Sequence, residues 1–231
     1  MLAAWTVGLL ILYGAGWSGG AVLAAFFISS NLVSRVGTPG PPSNADAKSD
    51  RRDAWQVYAN GGPAAVAALL FSADLALSIW LTTASLAAAA ADTWATALGS
   101  HSRVPPRLLW SARPVAPGTS GGVTWTGCVG AVMGGGIVSA TGALVAGNAL
   151  LLAAGTLIGF VGMLVDSLIG GALQGRFHCA SCNQPSEWRV HRCGNRTEWK
   201  SGWAWLNNDG VNFLATALAT FMAWAAWQWL D

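Results

Sequence analysis

The chain has 231 residues, of which 53% are apolar and 10% charged, with a formal net charge of +2 and a mean hydropathy of +0.46. An ordinary soluble domain is about 25% charged, so this composition places the chain in a bilayer and excludes a soluble globular protein. No strongly basic surface is left for nucleic acid, and no nucleic-acid partner is expected.

All 12 basic residues fall in three polar segments. Arg35, Lys48, Arg51 and Arg52 lie in the first, Arg103, Arg107 and Arg113 in the second, and Arg176, Arg189, Arg192, Arg196 and Lys200 in the third. Short loops rich in Lys and Arg stay cytoplasmic, so an even number of crossings should separate each pair of loops. The expected fold is an all-α polytopic transmembrane bundle of about six to seven spans, forming one integral membrane domain over residues 1–231, N-terminus inside.

The first spans are short, at residues 2–13 and 20–33 around a Gly-containing break at 14–19. Met1 begins without a basic n-region or a cleavage site, so no removable signal peptide is expected. Residues 36–54, rich in Pro, Ser, Asn and Asp, read as a flexible cytoplasmic loop. The 38 residues from 62 to 99 would be about 57 Å long as helix, close to two crossings of a ~30 Å core. A bend is expected near residues 72–78, with Asp74 as its cap or turn residue. Residues 121–174 likewise hold two spans, with a break expected near Thr141 and Gly142. One more follows at 211–230. Trp203, Trp205, Trp224, Trp227 and Trp229 suit interfacial anchoring, and glycines such as Gly155, Gly159 and Gly162 suit close helix packing.

Three carboxylates stand out. Asp92, Asp166 and Asp209 lie at or inside apolar segments with no basic residue within a helical turn. A carboxylate at membrane depth costs roughly 2.5 to 3.5 kcal/mol on the lenient insertion scale and usually faces a cavity, a cation or a partner. Asp92 shares a helical face with Thr96, and carboxylates with hydroxyls suit Mg²⁺. The competing reading is helix capping or a buried hydrogen bond, good for Asp209 and poorer for the other two, which have helix already under way before them.

Two loop motifs remain. Arg113 and the run Gly118, Thr119, Ser120, Gly121, Gly122 lead into an apolar segment, where backbone amides at a helix N-terminus would suit phosphate. A plain Gly-rich turn explains the run as well, and the P-loop pattern is absent. In the third polar segment, residues 176–202, Cys179, Cys182, His191 and Cys193 match a Cys₃His structural zinc set in ligand type and count. Free thiols compete with that reading, and His178 is the reserve ligand. Cys128 reads as a packing residue within a span.

The stretches SGGAVLAAFFISSNLVSR, RRDAWQVYANGG, ADTWATALGS, RPVAPGTSGGV, DSLIGGALQ and GWAWLNNDGVN, in this order, resemble the integral membrane family that contains plant phytyl-phosphate kinase and animal transmembrane protein 19. Many members of that family begin with further hydrophobic sequence. The family is distantly similar to polyprenol and diacylglycerol kinases that use CTP. The resemblance implies a kinase converting an isoprenyl monophosphate, such as phytyl or geranylgeranyl phosphate, to the diphosphate in the plasma membrane of a prokaryote. On that reading Asp92 and Asp166 hold Mg²⁺ with Asp209 or Asn208 assisting. Arg113 and the loop from Gly118 to Gly122 hold nucleotide phosphates, and Arg51, Arg52 and Asn60 hold the lipid monophosphate. The alternatives are a cation- or proton-coupled transporter and a non-catalytic membrane scaffold.

Overall fold

The computed structural model describes residues 1–36, 53–191 and 193–230, so Arg51, Arg52 and nearly all of the first polar loop lie outside the described residues. The protein is a polytopic bundle with six helices among the described residues, five of them long and apolar enough to cross a membrane. They are α1 (Leu2–Val36), α2 (Ala54–Leu70), α3 (Leu75–Gly99), α4 (Trp125–Ala146), α5 (Leu150–Leu173) and α6 (Asn208–Leu230). Short strands, unforeseen in the sequence, occupy the polar segments. β1 (Arg107–Leu108) pairs with β2 (Gly122–Val123), and β3 (Arg176–Cys179) stands between β4 (Gln184–Ser186) and β5 (Glu198–Ser201).

Helix α1 is two arms. Gly16 has φ 61 and ψ −160, a conformation open mainly to glycine, and the chain folds back there. Leu23 reaches within 3.9 Å of where a Cβ on Gly8 would stand, and Leu12 within 2.7 Å of one on Gly20. In a straight helix residues 8 and 23 would be about 22 Å apart. The next reversal falls where the sequence places it. Asp74 Oδ1 accepts from Leu77 N at 3.0 Å and caps α3 after a turn through Phe71 and Ser72.

The break between α4 and α5 does not lie at Thr141 and Gly142. Thr141 returns its hydroxyl to Ile137 O at 3.0 Å within the helix, and Gly142 lies against Thr83 of α3. The helix runs on to Gly147, whose left-handed φ of 63 closes it with backbone hydrogen bonds from the N–H groups of Gly147 and Asn148 to the carbonyls of Leu144 and Ala143.

Helix α3 is the axis, and all five other helices pack on it. Its middle is alanine, with Ala87, Ala88, Ala89, Ala90 and Ala91 all buried. Lipid offers helices no hydrophobic drive to associate, so close backbone approach and interhelical hydrogen bonds must hold them. Small residues supply the first. Trp80 supplies one of the second, donating its indole N–H to Ala223 O of α6 at 2.9 Å.

A proline adds another. Pro63 sits inside α2 and has no N–H to give the carbonyl of Ala59 four residues back. Thr216 Oγ1 of α6 donates to Ala59 O at 2.9 Å instead. Thr216→Val is expected to destabilise the bundle by about 1 kcal/mol. In a Pro63→Ala background, where Ala59 O regains its helical donor, that cost should vanish. A double-mutant cycle of unfolding in mixed micelles measures the coupling.

Candidate functional site

Four helices bring polar side chains to one small cavity. Asn60 of α2, Asp92 of α3, Asp166 of α5, and Asn212 and Thr216 of α6 line it, together with Ala88, Ala89, Gly162 and Ala215. Its volume is about 10 Å³, room for a single water-sized body. No lysine or arginine contributes to that lining among the described residues.

The depth follows from position in each helix. Asp92 and Asp166 each stand seven residues before the end of their helix, and Asn60 and Asn212 lie near the start of theirs. At 1.5 Å per residue the cavity lies ~6 to 10 Å inside the bundle from the end that carries the second and third polar segments. Ala88 and Gly162 sit one helical turn from Asp92 and Asp166 and on the same faces. A Cβ on Gly162 would stand 2.7 Å from that of Ala88, so the missing methyl sets the spacing of α3 and α5 just below the two carboxylates.

Local hydrogen bonds orient the remaining polar groups. Asn60 Nδ2 donates to Gln56 O at 2.9 Å, and Thr93 Oγ1 donates to Ala89 O at 2.9 Å. Thr96, expected beside Asp92, is exposed and does not line the cavity. Asp209 does not line it either. It is buried, 8% exposed, in the first turn of α6. The cap of α6 is Asn207, whose Oδ1 accepts from Gly210 N at 2.9 Å, so the capping role expected of Asp209 belongs to its neighbour. Asn208 is the first residue of the helix and is half-buried.

The glycine loop departs from expectation in one respect. Gly122 belongs to strand β2, and Thr124 rather than the loop caps α4, its Oγ1 accepting from Gly127 N at 3.0 Å. The loop docks instead on the end of α5. Gly121 has φ +83, and a Cβ there would stand 2.5 Å from Gly171 Cα and 2.6 Å from Ser167 O. The amides of Thr119 and Gly122 close turns onto Ala116 O and Thr119 O. Ser120 Oγ donates to Gln174 Oε1 at 2.7 Å. Gln174 is buried, and its Nε2 makes no hydrogen bond. Arg113 is exposed beside β1, its backbone carbonyl accepting from Leu108 N at 3.1 Å. Arg176 donates to Gly171 O at 2.5 Å, at the negative end of the α5 dipole.

The sequence motifs assign no role to Asn212, Thr216 or Gln174. A signal existed for the first two. Asn208, Asn212, Thr216 and Thr220 recur every four residues, a polar stripe on one face of an otherwise apolar helix.

The second constellation lies beyond the span ends. Cys179, Cys182, His191 and Cys193 place their ligand atoms within 4.8 Å of one another. Cys179 closes β3, and Cys182 follows in the turn to β4, where Asn183 takes φ 51. The sulfurs of Cys179 and Cys193 are 3.6 Å apart, and His191 Nδ1 is 3.1 Å from Cys193 Sγ. The three cysteines are free thiols. The cluster can hold a metal ion, and the 3.6 Å pair is consistent with zinc, whose bonds of about 2.3 Å in a tetrahedron set sulfurs about 3.8 Å apart. Strand alternation turns His178 to the opposite face from Cys179, and it is not part of the cluster.

The thiols share charge unevenly. The hydrogen bond with His191, then that from the Asn195 backbone, draws Cys193 down to about 6. Cys182 is pushed up to about 11, first by its hydrogen bond to Cys193. A thiolate is thus already favoured at one ligand before any metal arrives. Purified protein is expected to carry about one zinc per chain, and Cys179→Ser to lose it, as read by elemental analysis. Loss of metal should also open residues 176–202 to limited proteolysis.

Comparison with known proteins agrees with this architecture. Residues 1–220 match the family described as integral membrane protein DUF92. Protein PGR of Arabidopsis thaliana is 29% identical over 242 residues, covering 91% of this chain and 82% of that protein. An uncharacterized membrane protein of Methanocaldococcus jannaschii is 34% identical over 172 residues, 73% of this chain and 70% of the other. An uncharacterized membrane protein of Synechocystis is 25% identical over 229 residues, 95% and 78% of the two chains. No solved structure matches the chain at a significant level. The six stretches and the matched span together make this chain a member of the integral membrane protein family DUF92.

Proposed function

We propose that the protein is a membrane-embedded kinase that transfers a phosphoryl group from a nucleotide, CTP by family resemblance, to an isoprenyl monophosphate such as phytyl or geranylgeranyl phosphate. The observation that carries this reading is the convergence of Asp92 and Asp166 on one cavity with the carboxamides of Asn60 and Asn212. Hard oxygen donors around space for one small body fit Mg²⁺. When bound, that ion would neutralise charge on the nucleotide phosphates.

The chain's own groups do the rest. The loop from Gly118 to Gly122 and Arg113 hold nucleotide phosphates next to α5, with Asn208 and Asp209 completing the wall at the start of α6. The buried amide Nε2 of Gln174 is a further donor for a phosphate oxygen once the Ser120 contact opens. Asn60, which the resemblance assigns to the acceptor phosphate, joins the metal ligands by its place in the cavity, and this leaves Arg51 and Arg52 for the acceptor. The acceptor's phosphate oxygen is already a nucleophile at neutral pH. It forms the new P–O bond as the bond to the nucleoside diphosphate breaks, so positioning suffices and no strong base is needed. The isoprenyl tail stays in lipid between helices. Both polar segments face the cytoplasm of a prokaryotic cell, where nucleotide is supplied.

The test is protein in nanodiscs with Mg²⁺, a panel of γ-labelled nucleotides, and phytyl and geranylgeranyl phosphate. Labelled diphosphate, fastest with CTP, is expected. Absence of label with every nucleotide, together with cation flux in sealed vesicles, would replace the kinase by a transporter.

A further inference from the structure

Trp203 and Trp205 stack on each other with ring centroids 5.4 Å apart and planes 21° apart, yet they are 48% and 70% exposed. Burying such indoles in protein would be ordinary, and leaving a stacked pair on the surface asks for a covering partner. Their height in the molecule is fixed by backbone bonds. Trp203 N donates to Leu173 O, the last residue of α5, at 2.8 Å, and Gly175 N donates to Leu206 O at 2.9 Å. Helix α6 begins at Asn208. Both indoles therefore lie within about one helical turn of two span ends, the layer where hydrocarbon gives way to headgroups.

A cation is held at the pair. Arg189 Nη2 donates to Ala204 O, the carbonyl between the two tryptophans, at 3.2 Å. That bond spends one of five guanidinium donors, and the others keep a planar fork suited to phosphate. Lys200 is tied to Glu198 at 2.9 Å and Arg176 donates to Gly171 O, whereas Arg189 is hydrogen-bonded at the backbone between the two indoles. By sequence, residues 174–207 carry five Lys and Arg against Glu187 and Glu198, complementary to an anionic leaflet.

We propose that Arg189 with Trp203 and Trp205 forms a docking surface for the phosphate headgroup of an anionic phospholipid of the surrounding bilayer. The guanidinium takes the phosphate, and the indoles take the glycerol and upper acyl region. The surface lies outside the carboxylate cavity, so it stands or falls independently of the kinase reading.

The experiment compares the whole protein in nanodiscs of phosphatidylcholine alone and of phosphatidylcholine with phosphatidylglycerol. The readouts are native mass spectrometry of retained lipid and quenching of indole emission by lipids brominated high on the chain. Preferential retention of phosphatidylglycerol is expected, falling about fivefold in Arg189→Gln, and Trp203→Ala with Trp205→Ala should lose some of the shallow quenching. Equal retention of the two lipids by the unaltered protein overturns the proposal, whatever the variants do. So does quenching by CTP in detergent that anionic lipid does not compete away, which would make the indoles a nucleobase platform.

Discussion

Asp166→Asn and Asp92→Asn are each expected to lower phosphoryl transfer by about 10²- to 10³-fold while the protein inserts and folds as before. Asn keeps the shape of Asp and removes its charge, so helix packing on Ala88 and Gly162 is untouched while the cavity loses half of its formal negative charge. On the proposed reading the ion that holds the nucleotide should then bind more weakly, and some of the lost rate should return at higher Mg²⁺. That rescue separates a metal ligand from a merely structural acid. Asp74→Asn is the control, because Asp74 caps α3 at the opposite end of the bundle and Asn caps about as well as Asp. It should turn over normally. Initial rates against Mg²⁺ concentration for the three variants decide the matter, and unimpaired transfer in both Asp92→Asn and Asp166→Asn would remove the metal assignment altogether.

The features of this fold legible in the sequence are those set by local chemistry. The Asp74 turn was readable because a capping carboxylate sits between two apolar runs. The Gly16 reversal was readable as a Gly-containing gap between two short ones. The Cys and His spacing named its cluster because thiols and imidazole in one polar loop have few other uses. Gly142 misled because glycine serves equally as a helix breaker and as a site of close approach, and only Thr83 of a distant segment decides between the two. The glycine loop misled for the same reason. Its last residue, Gly122, pairs with Leu108, fourteen residues upstream, a non-local contact that inserts a strand where a helix start was expected. Thr216 stands in a legible polar stripe, but its hydrogen bond was not readable, because it depends on a carbonyl orphaned by Pro63 in another helix. Which carboxylates share a cavity is likewise a tertiary fact. Asp209 also stands beside apolar sequence with no basic residue within a helical turn and yet lies off the cavity wall.

The spacing of α3 and α5 offers the second large effect. Gly162→Ala is expected to cut transfer by about 10²-fold although neither reacting group is altered, because a displacement of about 1 Å at a reacting centre costs that much. The added Cβ would sit 2.7 Å from that of Ala88, so the two helices must separate a single turn below Asp92 and Asp166. Alanine favours helix over glycine by about 1 kcal/mol, which opposes the roughly 1 to 3 kcal/mol of overpacking. Stability is therefore expected to move less than activity. Moving the methyl across the interface supplies the decisive comparison. In Ala88→Gly with Gly162→Ala one Cβ again fills the space between the backbones, and transfer should return to within a few-fold of the starting protein. If the single and double variants are equally impaired, the glycine acts through something other than the approach of the two helices. If Gly162→Ala alone is fully active, the carboxylates tolerate the displacement, and the cavity does not have the rigidity that a site built for one small cation requires.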